Sequence, residues 1–466
     1  MIVIKQKQLK MNNIRDYKKR FDKRPEFSPT LIIAVASFLL GVTVFSAAPA
    51  HSQNKLTLEQ CLQMAHDNNI ALSTEKSNLG IAQEQKKEAV TNFFPAVSAM
   101  GLGFEANKDL ISLSMSGAEM GFVKNGLFGN VTAVQPVFAG GQIINGNKLA
   151  GIGVESSRLQ LQQAENQVEI TTEQYYWNVV TLKEKLNTIN LIQQQLARMD
   201  KDVSAFVKAG ITTRNDLLQV QLRENEVESQ KTTITNALSV SKLMLAQYIG
   251  LRSSKGGEYV CGEFDIADET YGNVNRDSLL MLKRNHDSVL MNTPEYQLLE
   301  KNVEAKRSLR QIEIGKNLPS VGVGAGLAYN DLMESGVTRG LLFLSVKVPL
   351  SGWWGGSYAI RQKKIAEKNA EEQLTSNSEL LIINMQRIWT EVENAYKNLK
   401  LARKSIEQSE ENLRINTDLY NAGTSTMSDL IQAQSQYQQS RNSYVDAYSA
   451  LEIQILAYKI ATNSNR

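Results

Sequence analysis

From Val321 to Tyr329, the residues Val321, Val323, Ala325, Leu327 and Tyr329 alternate with Gly322, Gly324, Gly326 and Ala328. From Leu342 to Leu350, the residues Leu342, Leu344, Val346, Val348 and Leu350 alternate with Phe343, Ser345 and Lys347. Successive side chains on a strand point to opposite faces, so this period of two predicts strands with one apolar face and one small or polar face. Each run is roughly ten residues, the length a tilted strand needs to cross a bilayer. Ala96–Glu105 and Leu127–Phe138 are expected to form a corresponding pair, with Met100, Leu102 and Phe104 on its apolar face. The glycines of 322–326 lie inside the alternation. A phosphate-cradling loop would instead follow a strand and open a helix, so no nucleotide site is read there.

Elsewhere the period changes from two to three and four. Helices are predicted from about Gly141 to Lys208 and from about Gly356 to Asn421, and neither contains proline after its first turn. At 1.5 Å per residue each is about 100 Å long, too long for a compact globular domain. One seam runs through Leu182, Leu186, Ile189, Gln193, Leu196, Asp200, Val203 and Val207. The other runs through Ile388, Val392, Ala395, Leu399, Ala402, Ile406, Ser409, Leu413, Asn416 and Tyr420. This is coiled-coil spacing with polar interruptions. The remaining faces are rich in Gln, Asn, Ser and Thr. They suit either the wall of a water-filled tube or an ordinary long coiled coil.

The chain is also duplicated. Ala209–Gln221 and Ala422–Gln434 share seven of thirteen residues at a constant offset of 213. Asn68–Val97 corresponds to Asn292–Val321 at an offset of 224, with Pro95 matching Pro319, while Pro136 matches Pro349 at 213. Each half therefore reads as helix, strand, loop, strand, very long helix, tip and return helix, with a length difference in the loop between paired strands. The expected division is a leader over 1–50, a first repeat over 51–250, a linking segment over 251–276 and a second repeat over 277–466.

Charge sharpens this division. Residues 1–50 hold nine Lys/Arg and three Asp/Glu, followed within the segment by the apolar run Leu31–Phe45 and then Ala48-Pro49-Ala50. That order suits a cleaved signal peptide, and an uncleaved anchor is the alternative. Beyond residue 50 there are 42 basic and 45 acidic side chains, so no basic patch argues for nucleic acid. Cys61 and Cys261 permit a disulfide in an exported protein but do not form a framework. The histidines His51, His66 and His286 are too sparse for a triad or a zinc site, and no cofactor or metal is expected.

Four strands with one lipid-compatible face cannot stand alone in a membrane. Open edges leave backbone groups unpaired at several kcal/mol each, so a barrel must close. Three copies of the chain would supply twelve strands. The soluble helices would then project from one side. Pro95, Pro136, Pro319 and Pro349 are placed at the strand–helix junctions, where proline can stop one element and aim the next. Phe93, Phe94, Phe138, Trp353 and Trp354 cluster there too, as interfacial aromatics or as core packing.

These features resemble the TolC-like outer-membrane efflux proteins over essentially the whole mature length. The carriers are the two Ala-Gly-x-x-x-x-x-Asp-Leu tips, the segments Gln135–Gly141 and Val348–Gly352, and the duplicated order. The resemblance implies an α+β membrane protein: a homotrimer with a twelve-stranded barrel in outer-membrane lipid and a twelve-helix coiled-coil tunnel in the periplasm. Residues 251–276 would join an equatorial belt. The implied activity is passive export, with a periplasmic adaptor and an inner-membrane pump of RND or ABC type as partners. Drug efflux is the first cargo and protein secretion the second.

The resemblance also implies site residues. Asp429 and Gln432 occupy the two positions of a periplasmic constriction ring, the second of which is usually Asp. Asp216 and Tyr420 match members of the gate network. Ser425 stands where an arginine is familiar, and Arg214 lies near enough to substitute. For Asp216 and Asp429, helix capping is the competing role. Ala209, Gly210, Ala422 and Gly423 match the adaptor-contact tips. The glycines are expected to end the incoming helices in left-handed caps. A periplasmic adaptor or an exported enzyme are the competing classes. An adaptor typically has one hairpin rather than two tips, and a soluble enzyme would need chemistry that the histidines do not supply.

Overall fold

The computed structural model describes residues 55–464 apart from 109–111, 116–117, 122–124, 252, 256–257, 261–263, 269–271, 273–274, 332–335 and 351. The expected leader and Cys261 lie outside the described residues.

In chain order the first half contains β1 (Lys55–Leu56), α1 (Leu58–Asn68), α2 (Ile70–Thr91) and β2 (Ala96–Glu105). It continues with the short hairpin β3 (Ser112–Met115) and β4 (Ala118–Gly121), then β5 (Asn125–Ala139), α3 (Gln142–Lys208) and α4 (Arg214–Tyr248). Between the halves lie β6 (Ser253–Lys255), β7 (Glu258–Val260) and β8 (Asp265–Ile266). The second half contains α5 (Arg276–Leu282), α6 (His286–Leu290), α7 (Pro294–Lys316), β9 (Ser320–Asp331), β10 (Val337–Lys347), α8 (Gly352–Asn421) and α9 (Met427–Ala461).

The four long strands form one antiparallel sheet in the order β10-β9-β5-β2. The hairpins β2–β5 and β9–β10 are joined by β5–β9, so the two halves share a sheet. β10 begins at Val337, before the expected Leu342, because Thr338 and Gly340 continue the ladder without being apolar. It ends at Lys347, where Pro349 has no N–H to offer. Pro136 does not stop its strand. β5 runs on to Ala139, and the register shifts between Pro136 and Phe138, a bulge that accommodates the missing donor.

Register fixes the faces. Residues directly opposite in an antiparallel ladder share a face. Ala325 pairs with Leu342 and Ala133, Leu327 with Gly340 and Val131, and Val323 with Leu344 and Gln135. With Val97 opposite Ala133 and Ala99 opposite Val131, this face is apolar or small except at its ends. Met100, Leu102 and Phe104 lie on the other face, which corrects the expectation above. They share it with Asn130, Thr132, Asn330, Arg339 and Ser345, and the hydroxyls of Ser98 and Thr132 are 3.0 Å apart.

α3 is 67 residues long and α8 is 70, both on the order of 100 Å. Each long helix is matched by two shorter ones placed end to end. α3 packs against both α2 and α4, and α8 against both α7 and α9. At the first joint, Asn69 caps α2 and its side-chain amide donates to the Tyr248 carbonyl at 3.1 Å. Gly250 turns the chain there with φ +76°, and a Cβ on it would sit 2.4 Å from that of Asn68. At the second joint, 213 residues later, Asn463 takes the same left-handed conformation and donates to the Asn292 carbonyl at 2.8 Å. Glycine and asparagine are the two residues for which that conformation costs least.

Two buried clusters hold the helices together. Around Tyr176, Trp177, Trp389, Tyr448, Leu451 and Tyr458, the long helices meet α1, α9 and the inter-repeat segment. Nearer the tips, Ile189, Ile192, Leu196 and Val203 of α3 pack with Val220 and Val227 of α4 and with Met427, Leu430 and Tyr437 of α9. The expected seam residues Ile189, Leu196 and Val203, and Ile388, Val392, Ala395 and Leu399, are all buried. β1 pairs in parallel with β8, whose Ile266 belongs to the first cluster and against which Leu56 packs. Lys183 of α3 binds Asp268 at 2.7 Å and Lys55 binds it at 2.6 Å, which holds the Asp268 carboxyl down to about 2.

Glu173 lies within the first cluster, where the Trp177 indole donates to it at 3.2 Å. Burial pushes its carboxyl up to about 7 from an ordinary 4.5. A raised carboxyl favours the protonated folded state, so its contribution is complete below about pH 4.5 and lost as pH rises through about 7. Glu173→Gln keeps an acceptor for Trp177 and removes the charge. Its unfolding stability should match wild type at pH 4 and exceed it at pH 8 by ~2–3 kcal/mol. Parallel pH–stability curves for the two proteins would contradict this assignment.

Candidate functional site

The two tips are built alike. α3 ends in Gly210 with φ +74°, and α8 ends in Gly423 with φ +72°. Ile211 N–H donates back to the Phe206 carbonyl and Thr424 N–H to the Leu419 carbonyl, both at 2.9 Å. These are Schellman caps, as the glycines suggested. No atom lies within 4 Å of where a Cβ would stand on either glycine, so conformation alone restricts them. Ala209, Gly210, Ala422 and Gly423 are all exposed.

The return helices start with reciprocal capping boxes. Thr213 caps α4 and Thr426 caps α9, with Asp216 and Asp429 at the third helical position of each. Asp216 N–H donates to the Thr213 hydroxyl at 3.3 Å, and Asp429 N–H donates to that of Thr426 at 3.2 Å. Each carboxylate accepts in return from the backbone of its threonine. Both aspartates therefore cap their helices, and each carboxylate has further partners.

Those partners differ. Asp216 also accepts from the Thr212 hydroxyl. Tyr420, at the end of α8, is half-buried, and burial raises its phenol above its ordinary value. Asp216 belongs to the first tip and Tyr420 to the second. Asp429 is exposed. It accepts from the Thr426 hydroxyl at 2.6 Å and the Ser425 hydroxyl at 3.3 Å, which hold its carboxyl below the usual range. Gln432 is exposed one turn further along α9. Ser425 therefore supports Asp429 directly, and Arg214 is exposed at the start of α4.

Below the tips runs a polar bridge that periodicity alone did not pick out. Arg223 of α4 is 6% exposed and donates to Gln438 of α9 at 2.7 Å. Gln438 donates to Gln230 at 2.8 Å, and Arg223 also pairs with Glu226 at 2.7 Å. Gln434 is buried one turn away and reaches Gln195 of α3. The signal in the sequence was the pair Gln434 and Gln438 at helical spacing beside buried Leu430 and Tyr437. The bridge ties the return helices of the two repeats.

At the sheet end, Pro95 and Pro319 immediately precede β2 and β9, and Pro349 sits in the turn between β10 and α8. Gly140 and Gly141, both at positive φ, turn β5 into α3. A Cβ on Gly140 would meet the Gly315 carbonyl oxygen at 2.3 Å, so the turn is pressed against the backbone of α7. Phe93, Phe94, Phe138 and Trp354 are exposed around these junctions. Among the described residues, no helix is long and apolar enough to cross a membrane.

Residues 286–457 match the family model described as outer membrane efflux protein. No curated protein matches the chain. Among solved structures, the outer membrane protein VceC from Vibrio cholerae is 15% identical with a TM-score of 0.71, covering 87% of this chain and 95% of that one. The CmeC outer membrane channel of Campylobacter jejuni is 13% identical with a TM-score of 0.72, over 87% and 85% of the two chains. The open state of the MtrE outer membrane channel of Neisseria gonorrhoeae is 14% identical with a TM-score of 0.68, over 87% and 88%. Sequence in the second repeat and fold along both repeats agree with what the tips carry: the chain resembles the TolC-like outer-membrane efflux proteins.

Proposed function

We propose that the protein is the outer-membrane exit duct of a tripartite export system. Three copies would close their sheets into a twelve-stranded barrel in outer-membrane lipid, and their helices would continue it as a tunnel into the periplasm. The observation that carries this reading is the sheet, which has one apolar face, two edges without a strand partner among the described residues, and helices of 67 and 70 residues leading away from it. The exposed rings of Phe93, Phe94, Phe138 and Trp354 suit the membrane–water boundary at the helix end of the barrel. Residues 1–50 would direct export, and 251–276 would link the repeats at the belt.

In this reading the tips face the transport partners. Ala209, Gly210, Ala422 and Gly423 would meet a periplasmic adaptor, which in turn engages an inner-membrane pump of RND or ABC type. Asp429 and Gln432 would line the constriction, and Asp216 and Tyr420 would hold it closed. The protein moves drug-like solutes and performs no bond-breaking chemistry. Three ionised Asp429 side chains would draw cations to the narrowest point.

The first test is single-channel recording in planar bilayers. The wild-type protein should give small steps blocked by divalent cations from the helix side, and Asp429→Ala should weaken that block by about tenfold. Unchanged block would remove Asp429 from the constriction. The second test separates contact from folding. Gly423→Glu should abolish export in cells while the assembled oligomer persists, because the space at Gly423 is open and only about 1–2 kcal/mol of backbone strain is added. Loss of the oligomer instead would make Gly423 a structural residue.

A further inference from the structure

The sheet face opposite the lipid-compatible one has an unexpected composition. An aqueous barrel lumen is ordinarily polar. Here the register sets apolar groups row by row across four strands. Leu102, Phe128 and Val337 share one row with Asn330. Met100 and Arg339 share the next with Asn130 and Ala328. Leu341 lies in the third with Ser98 and Thr132, and Phe343 in the fourth with Val134. Met100 is 57% exposed, Leu102 56% and Leu341 63%, so these are open surfaces and not a packed interior.

Within the four strands the charge on this face has one sign. Arg339 is exposed in the second row and Lys347 is exposed at the helix end. Glu105 and Asp331 lie on the opposite face, so none of the four strands places a carboxylate beside Arg339. The floor near Arg339 is low, because Ala328 is its direct neighbour and Gly326 the next on that face. Neighbouring strands stand ~4.8 Å apart and alternate residues along a strand about 7 Å, so a cation and apolar side chains lie within the reach of one small molecule.

We propose that this face is a transit site for amphipathic organic anions, with Arg339 taking the anionic group and Met100, Leu102, Phe128 and Leu341 the apolar body. The inference rests on the duct reading, which makes this face the lumen. The guanidinium suits carboxylate, sulfonate and sulfate groups, and its weak hydration favours contact with an organic anion in a partly apolar setting. The site would act after the constriction. Asp429 there disfavours anions, and a cationic exit draws forward any that have passed, which lowers their return.

The test uses the assembled protein in planar bilayers, with probes added on the strand-loop side. 8-Anilinonaphthalene-1-sulfonate should block the channel reversibly at micromolar concentration, and inorganic sulfate and the aromatic cation ethidium should block at least tenfold less. Arg339→Gln should weaken the block by the sulfonate about tenfold, and Phe128→Ser should weaken it without altering the ion selectivity that Arg339→Gln shifts. Equal block by sulfonate and ethidium, or unchanged block in Arg339→Gln, would overturn the proposal while leaving the duct intact. Absence of conductance altogether would defeat the duct reading, and this inference with it.

Discussion

The backbone of an edge strand is the constraint on which the rest of this structure depends. β10 and β2 border the four-stranded sheet, and each presents a row of N–H and C=O groups without a strand partner among the described residues. In water such edges are satisfied by solvent. In the lipid placement proposed for the face that includes Val97, Val131, Leu327, Leu342 and Leu344, water would be excluded and each orphaned group would cost several kcal/mol. In the proposed assembly other copies would close the sheet, because the two edges belong to the two repeats and would offer each other strands of similar length.

Duplication carries the same logic into the helices. A single helix on the order of 100 Å cannot bury its apolar seam alone, and each repeat answers with two shorter helices laid end to end along it. The joints end α4 and α9 with a left-handed residue, and Gly250 and Asn463 provide it at equivalent positions. The tips need a second left-handed residue and a cap, and Gly210 with Thr213 and Gly423 with Thr426 provide those. What differs between the repeats is then informative. Asp216 is partly buried and accepts from Thr212, whereas Asp429 stays exposed beside Ser425.

The features most legible in the sequence were those governed by short-range periodicity. The seam through Ile189, Leu196 and Val203, the strand alternation of 321–329 and the paired Ala-Gly tips all follow from local geometry. What the sequence concealed depends on long-range pairing. Met100, Leu102 and Phe104 look like a lipid face by hydrophobicity, yet their partners Asn130, Phe128 and Gly126 put them on the opposite side. Only the register, which β5 fixes against β9, reveals this. Pro136 reads as a strand end, but a bulge lets the strand continue. Arg223 carries no local signal of its burial, because its partner Gln438 lies 215 residues away. In the candidate site, the aspartates were legible through the repeat. The assignment of Tyr420 and Asp216 to one gate was suggested by family resemblance and not by residue pattern.

The central claim is that the sheet is completed by other copies of the same chain. Native mass measurement of the protein extracted in mild detergent tests it most directly. The account predicts a complex of three chains that persists until the sheet is unfolded by heating. A monodisperse single chain that retains its strand content would contradict it.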